Sequence, residues 1–274
     1  MDAGTELRTA VVDGHRITYD VHGPAEAPTV VLLTGWCQDH RLFDPLLPYL
    51  SDTHRVVRID WRGHGEDRSP VADFGYAEQA ADTVKVLDEL GIDRFLPVST
   101  SHGGWANIEL ADRLGPERVP TVTVIDWIMT PPPAEFAGGL AEVQDPERWT
   151  HGRAGLFDTW LNGSGHPLVA RHLDEEMAGF GFEMWARSCR VIADAYERWG
   201  SPLERMAAMA HTRPVRHLFS QPDAEAYERA QREFSAGHPW FSHRRLGGPT
   251  HFPTLDSPAL VAEEIVALTA TAAR

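Results

Sequence analysis

The chain has 274 residues, 42% of them hydrophobic, enough for one large core with room for an inserted lid. Forty acidic residues against 25 basic ones leave a net charge of −15 with no lysine or arginine run, which argues against nucleic acid or an anionic membrane surface as partner. No apolar run nears the roughly 20 residues of a membrane span, the polar start at residues 1–6 is not leader-like, and Cys37 and Cys189 form no disulfide or metal framework.

These features predict a cytoplasmic protein, a monomer or a weak homo-oligomer. In chain order, β-type runs come first, at residues 8–12, 16–21, 30–34 and 55–59, with turns at Asp13-Gly14 and Gly23-Pro24. The third run enters the glycine turn Gly35-Trp36-Cys37, and the fourth enters Asp60-Trp61-Arg62-Gly63-His64-Gly65. From Ala77 the spacing of Val84, Leu87 and Leu90 predicts a helix that Gly91 ends. The apolar run Phe95-Leu96-Pro97-Val98 then leads through Ser99, Thr100 and Ser101 into a helical pattern from Trp105 to Leu114. A strand at 122–125 ends at Asp126. Between Thr130 and about Arg205 the rhythm changes: prolines 131 to 133 break the chain, and aromatic-rich helical segments follow without any strand pattern. Alternation resumes with a strand at 215–220, a helix at 225–234, a strand at 240–246 and a helix at 257–271. This order predicts an α/β protein with a mainly parallel, doubly wound sheet. Residues 1–130 and 206–274 would form the core, and 131–205 a helical cap inserted after the sixth strand.

The junction at Ser101 carries the most chemistry. A strand, a serine among small residues and then a helix make a nucleophile elbow, a sharp turn that lifts one side chain above the sheet edge. Gly103 and Gly104 supply the small neighbours. Ser99 stands where a glycine is usual, so the pattern is S-x-S-x-G. Near the C-terminus, Gly247-Gly248-Pro249-Thr250-His251-Phe252-Pro253 sets His251 in the loop after the last strand. That is the place of the catalytic histidine in α/β-hydrolase folds, whose chain order is Ser, acid, His. The Gly35-Trp36 turn is where such folds put one oxyanion-hole amide, and the backbone N–H of His102 would supply the other.

A histidine base needs an orienting acid. Asp126, ending the sixth strand, and Asp223, after the seventh, both qualify. Topology leans slightly to Asp223, although Asp223-Ala224-Glu225 also reads as a helix N-cap. Asp126 lies between Ile125 and Trp127, an apolar setting that is costly for an unpartnered acid. Trp36 in the oxyanion turn and Trp160 in the cap predict an aromatic-lined pocket for a flat aromatic substrate. Metal-ligand spacings and a dinucleotide fingerprint are both missing, so neither metal nor flavin nor nicotinamide is expected. Cys37 reads as a buried neutral thiol.

With these motifs the chain closely resembles the cofactor-independent dioxygenases that open the ring of 3-hydroxy-4-oxoquinolines on an α/β-hydrolase fold. Matching stretches include Gly35-Trp36-Cys37, Trp61-Arg62-Gly63-His64-Gly65, Ser101-His102-Gly103-Gly104-Trp105, Asp126-Trp127, Asp145-Pro146-Glu147-Arg148-Trp149, Phe219-Ser220-Gln221-Pro222 and the segment from Leu246 to Pro253. The likeness covers nearly the whole chain, cap included. It implies that Asp126 is the acid and that His251 takes the proton from the substrate's 3-hydroxyl. The resulting anion would itself reduce dioxygen, so no cofactor is needed. A peroxide at C2 would attack the C4 carbonyl, the amides of Trp36 and His102 would hold the oxyanion, and carbon monoxide and an N-acylanthranilate would leave. Ser101 would hydrogen-bond the substrate, and Trp160 would line the pocket. Gln38 and Thr100 stand where the family carries histidine. Both would adjoin the substrate and affect which 2-substituent fits (hydrogen, methyl or a long alkyl chain). The rivals are an esterase using Ser101 as nucleophile and a non-catalytic ligand-binding protein of the same fold.

Overall fold

Strands β3 (Thr29–Leu33), β5 (Leu96–Thr100) and β6 (Val122–Ile125) are buried at every position, as expected of central strands covered on both faces. A computed structural model describes residues 6–272 of the chain, and most of the polar start read above, residues 1–5, lies outside them. The sheet has eight strands in the order β1-β2-β4-β3-β5-β6-β7-β8. β1 (Arg8–Val12) and β2 (His15–His22) form an antiparallel hairpin, and β2 also pairs antiparallel with β4 (Arg55–Ile59). Every later pairing is parallel, through β7 (Val215–Phe219) to β8 (Phe241–Arg245).

The helices follow the strands as α/β alternation demands: α1 (Leu47–Leu50), α2 (Tyr76–Glu89) and α3 (Gly104–Arg118) precede β6. Between β6 and β7 come five helices and no described strand: α4 (Ala134–Val143), α5 (Trp149–Leu161), α6 (Pro167–Arg171), α7 (Phe182–Trp199) and α8 (Pro202–Ala207). A π-helical turn at His172–Met177 continues α6. α7 buries Met184, Trp185, Ser188, Cys189, Val191, Ile192, Ala195 and Tyr196, one face at helical spacing. Tyr196 donates its hydroxyl to the Ile128 carbonyl at 2.7 Å, which fastens this inserted layer beyond the end of β6. α9 (Glu225–Gly237), α10 (Pro253–Asp256) and α11 (Pro258–Ala272) complete the chain.

Several boundaries differ from the sequence reading. β5 runs two residues past the apolar stretch, because Ser99 and Thr100 bury their hydroxyls against partners. The Ser99 hydroxyl accepts from Asn107 Nδ2 of α3 at 2.9 Å, so the serine in the usual glycine position ties the elbow strand to its helix. α3 continues past Leu114 through a kink where Gly115 has φ +71°. The final helix falls where it was expected, but the short α10 precedes it, set apart at Ser257, whose backbone leaves the helical region.

Candidate active site

The elbow is built by close packing. Ser101 has φ +49°, a left-handed conformation that costs a non-glycine residue on the order of 1 kcal/mol and persists only where its surroundings fix it. They do so here: a Cβ on Gly103 would run into the Thr34 carbonyl, and one on Gly104 into the Trp127 ring. The elbow therefore abuts the turn after β3, and a Cβ on Gly35 would lie 3.2 Å from that of Ser101. Trp36 and His102 each follow one of these touching segments. The His102 N–H lies in the opening turn of a helix, where amides have no intrahelical acceptor.

His251 joins the elbow to the end of β6. Its Nε2 is 3.1 Å from Ser101 Oγ, and its Nδ1 is 3.1 Å from Asp126 Oδ1. Asp126 is itself strained at φ +49°, and its carboxylate accepts from the amides of Ser220 at 2.8 Å and Gln221 at 3.2 Å. Burial pushes the Asp126 carboxyl above its ordinary range, against the pull of His251 and the two amides. The lean toward Asp223 is corrected: that residue is exposed and pairs with Arg245, which leaves Asp126 beside the histidine.

Buried neutral imidazoles hold the surrounding backbone. Trp127 Nε1 donates to His102 Nδ1 at 3.1 Å, and the Trp127 amide lies 3.4 Å from His217 Nε2. Burial lowers both histidines to about 3, so both remain acceptors.

A cavity of about 920 Å³ opens over Ser101, His102, Asp126 and His251, roofed by α4 and α5. Trp160 stacks on His251 with ring centres 5.4 Å apart and planes 20° apart, and Phe136 stacks on His102 at 5.4 Å and 15°. A smaller adjoining cavity of about 30 Å³ is lined by Trp36 and Gln38 together with Ser101 and His102. Thr100 lines neither cavity. Its hydroxyl lies 3.0 Å from the Gly35 amide and donates to Gln38 Oε1 at 3.2 Å, so its contact is with the oxyanion turn and the expected substrate contact is corrected. The Cys37 thiol is buried, which pushes it up to about 12. Among the described residues no group of three or more His, Cys, Asp or Glu side chains could hold a metal ion, and no helix is long and apolar enough to cross a membrane.

Sequence reasoning gave no role to Phe136, Gln221 or His64. Gln221 links three parts of the site: its amide binds Asp126, and its side-chain Nε2 donates to the Pro249 carbonyl at 3.1 Å and reaches the Trp160 carbonyl at 3.4 Å. Nothing in local pattern marks such a residue, because its partners lie 28 to 95 positions away.

An elbow serine, a histidine after the last strand and an acid on a parallel sheet define an α/β-hydrolase-fold protein, and the sequence model of that fold matches residues 28–186. The "2-heptyl-3-hydroxy-4(1H)-quinolone dioxygenase" of Mycobacteroides abscessus is 49% identical over 97% of this chain and 99% of its own. The "1H-3-hydroxy-4-oxoquinoline 2,4-dioxygenase" of Pseudomonas putida is 43% identical over 94% of this chain and 98% of its own. Among solved structures, an AqdC variant in complex with its substrate, described as recognising and cleaving the Pseudomonas quinolone signal, superposes with a TM-score of 0.95 at 49% identity, covering 97% of this chain and all of that one. The chain belongs to the 3-hydroxy-4-quinolone 2,4-dioxygenase family.

Proposed function

We propose that the protein is a cofactor-free dioxygenase that cleaves the heterocycle of 2-alkyl-3-hydroxy-4(1H)-quinolones. The observation that carries this reading is the chain of contacts Ser101–His251–Asp126 at 3.1 Å each, opening on a cavity of about 920 Å³ with an aromatic roof. That volume lies in the range of drug-sized ligand sites and has room for a bicycle with an alkyl tail. Relatives named for the 2-heptyl substrate support the long chain.

His251 Nε2 takes the 3-hydroxyl proton, while Asp126 keeps Nδ1 protonated and stabilises the imidazolium. The electron-rich substrate anion then reduces dioxygen, and a peroxide forms at C2. Its terminal oxygen attacks C4, and the oxyanion accepts hydrogen bonds from the amides of Trp36 and His102. Collapse of the bridged peroxide breaks the O–O, C2–C3 and C3–C4 bonds, expels C3 with its own oxygen as carbon monoxide and leaves the N-acylanthranilate, so one oxygen atom of dioxygen ends on C2 and the other on C4. Ser101 donates a hydrogen bond to the substrate. Two buried thiols, Cys37 and Cys189, fit a cytoplasmic setting.

The test is oxygen uptake and carbon monoxide release on 2-heptyl-3-hydroxy-4(1H)-quinolone and its 2-methyl analogue after chelator treatment. Turnover undiminished by EDTA supports the reading; activity that vanishes with EDTA and returns with iron overturns it. The second reading, a serine esterase, is favoured by the approach of Ser101 Oγ to His251 Nε2, which is also the geometry of an activated nucleophile.

A further inference from the structure

We infer that His64, on the turn after β4, is a positioning residue that aims the Trp36 amide into the cavity by holding the next amide along the chain, that of Cys37. The inference rests on the dioxygenase reading, in which the Trp36 N–H receives the oxyanion at C4.

The turn from Thr34 to Asp39 is gripped on both sides of Trp36. Upstream, Trp61 Nε1 donates to the Thr34 carbonyl at 2.9 Å, and the Gly35 amide donates to Gln38 Oε1 at 2.8 Å. Downstream, the Cys37 amide donates to His64 Nε2 at 3.1 Å. Between them, the Trp36 amide has no acceptor among the described residues. Trp61 and His64 belong to the same turn, so one rigid piece holds the oxyanion turn at two points. The hold is needed because Cys37 has φ +57°, a conformation that costs a residue with a side chain about 1–3 kcal/mol.

The chemistry of the two partners settles the state of the ring. The Arg62 carbonyl, 3.0 Å from Nδ1, can only accept, so Nδ1 carries the proton. The Cys37 amide can only donate, so Nε2 offers its lone pair. Burial, opposed by the bond to Arg62, pushes His64 down to about 4, so the acceptor persists at neutral pH. The ring sits between Phe180, 4.9 Å away, and Trp36, 6.1 Å away. Its own turn is braced in turn: Arg62 makes two bonds to Asp82 at 2.6 and 2.8 Å, and Asp60 holds the His40 amide at 2.7 Å. Gly65, at φ +70°, sits so tightly on Asp60 that a Cβ there would run into the carboxylate.

Three variants test the inference on 2-heptyl-3-hydroxy-4(1H)-quinolone, with the wild type as control. His64→Leu removes the acceptor, His64→Asn is too short to reach Cys37, and His64→Gln places an amide oxygen near the position of Nε2. Leu and Asn should lower kcat about 10–100-fold while the anaerobic substrate Kd stays within about threefold, the signature of a donor misplaced in the transition state. Gln should restore kcat to within about fivefold of wild type, whereas a general packing role would leave it as slow as Asn. If the Leu variant does not fold, the Asn–Gln pair decides. Unchanged kcat in Asn, a Gln variant as slow as Asn, or Kd weakening in step with kcat overturns the inference. A wild type that consumes no oxygen sinks the dioxygenase reading itself, and the inference with it.

Discussion

Trp160 touches His251 twice: its indole stacks on the imidazole at 5.4 Å, and its carbonyl accepts the His251 amide proton at 3.0 Å. A residue of the inserted helices thus fixes both the ring plane and the backbone of the proposed base. An aromatic pair contributes about 0.5–1.5 kcal/mol beyond its buried area. Trp160→Ala should therefore lower kcat about 3–10-fold through a loosened ring, and Trp160→Phe should lose less. Steady-state kinetics on the quinolone check this; equal losses in the two variants would mean that the stack is irrelevant.

Asp126 and Asp223 can be separated by charge removal alone. In a Ser-His-Asp system the orienting acid is worth about 10⁴ in kcat, but one proton taken from a fairly acidic enol asks less of the histidine. Asp126→Asn should cost on the order of 10²–10³ in kcat. Asp223→Asn, which removes an exposed pair with Arg245, should stay within about twofold. A reversed order would reassign the acid.

Ser101 and His251 distinguish the two reactions this constellation could run. In a hydrolase the serine makes and breaks a covalent bond, so Ser101→Ala should cost several orders of magnitude. In the dioxygenase it contributes one charge-assisted hydrogen bond, about 1.5–3 kcal/mol or about 10–150-fold in rate. His251→Ala removes the base and should cost about 10²–10⁴-fold. The expected order at pH 8 is therefore His251→Ala slower than Ser101→Ala, with both still binding the quinolone. As pH rises toward the ionisation of the substrate's hydroxyl, solvent replaces the base and the His251→Ala defect shrinks. A trapped acyl-serine in the wild type would decide for the hydrolase.

Asp20 bears on stability rather than turnover. Burial raises its carboxyl, but hydrogen bonds with His22 and Arg58 outweigh that and hold it at about 2, below the ordinary 3.8. A carboxyl lowered on folding contributes stability that is complete above the unfolded value and lost as pH falls through the folded one. The window is therefore pH 4 down to 2, and the contribution is about 2 kcal/mol. Urea unfolding should show the wild type losing about 2 kcal/mol more than Asp20→Asn between pH 5 and pH 2. Equal losses would remove Asp20 from the acid sensitivity.

Much of the architecture was legible because period and punctuation agree. The strands at 8–12, 55–59 and 122–125 carry β-type runs bounded by turn residues, and they fall where the structure has them. The ends of β5 were not legible. Ser99 and Thr100 look like loop residues, but they pair with β3 and β6 in the ladder, and their buried hydroxyls find Asn107 and Gly35, all distant in sequence. Ser101 and His251 stood out by position in the chain, since the fold fixes which loops converge. Trp160 also stood out, as a pocket aromatic, but Gln221 and His64 did not, because they act through carbonyls, amides and a ring tautomer that no residue pattern encodes. Asp223 misled topology for a plain reason: the loop after β7 presents it to solvent and to Arg245.

Three buried histidines, His64, His102 and His217, hold the site's backbone or an indole as neutral acceptors, lowered to about 4, 3 and 3. Above about pH 5 none of them changes charge, so all three are silent in a titration of the rate. A kinetic break near neutrality cannot then be assigned to them, although they are among the imidazoles nearest the reaction. The scaffold thus holds its loops with imidazoles that add no ionisation of their own to a pH–rate curve above about pH 5.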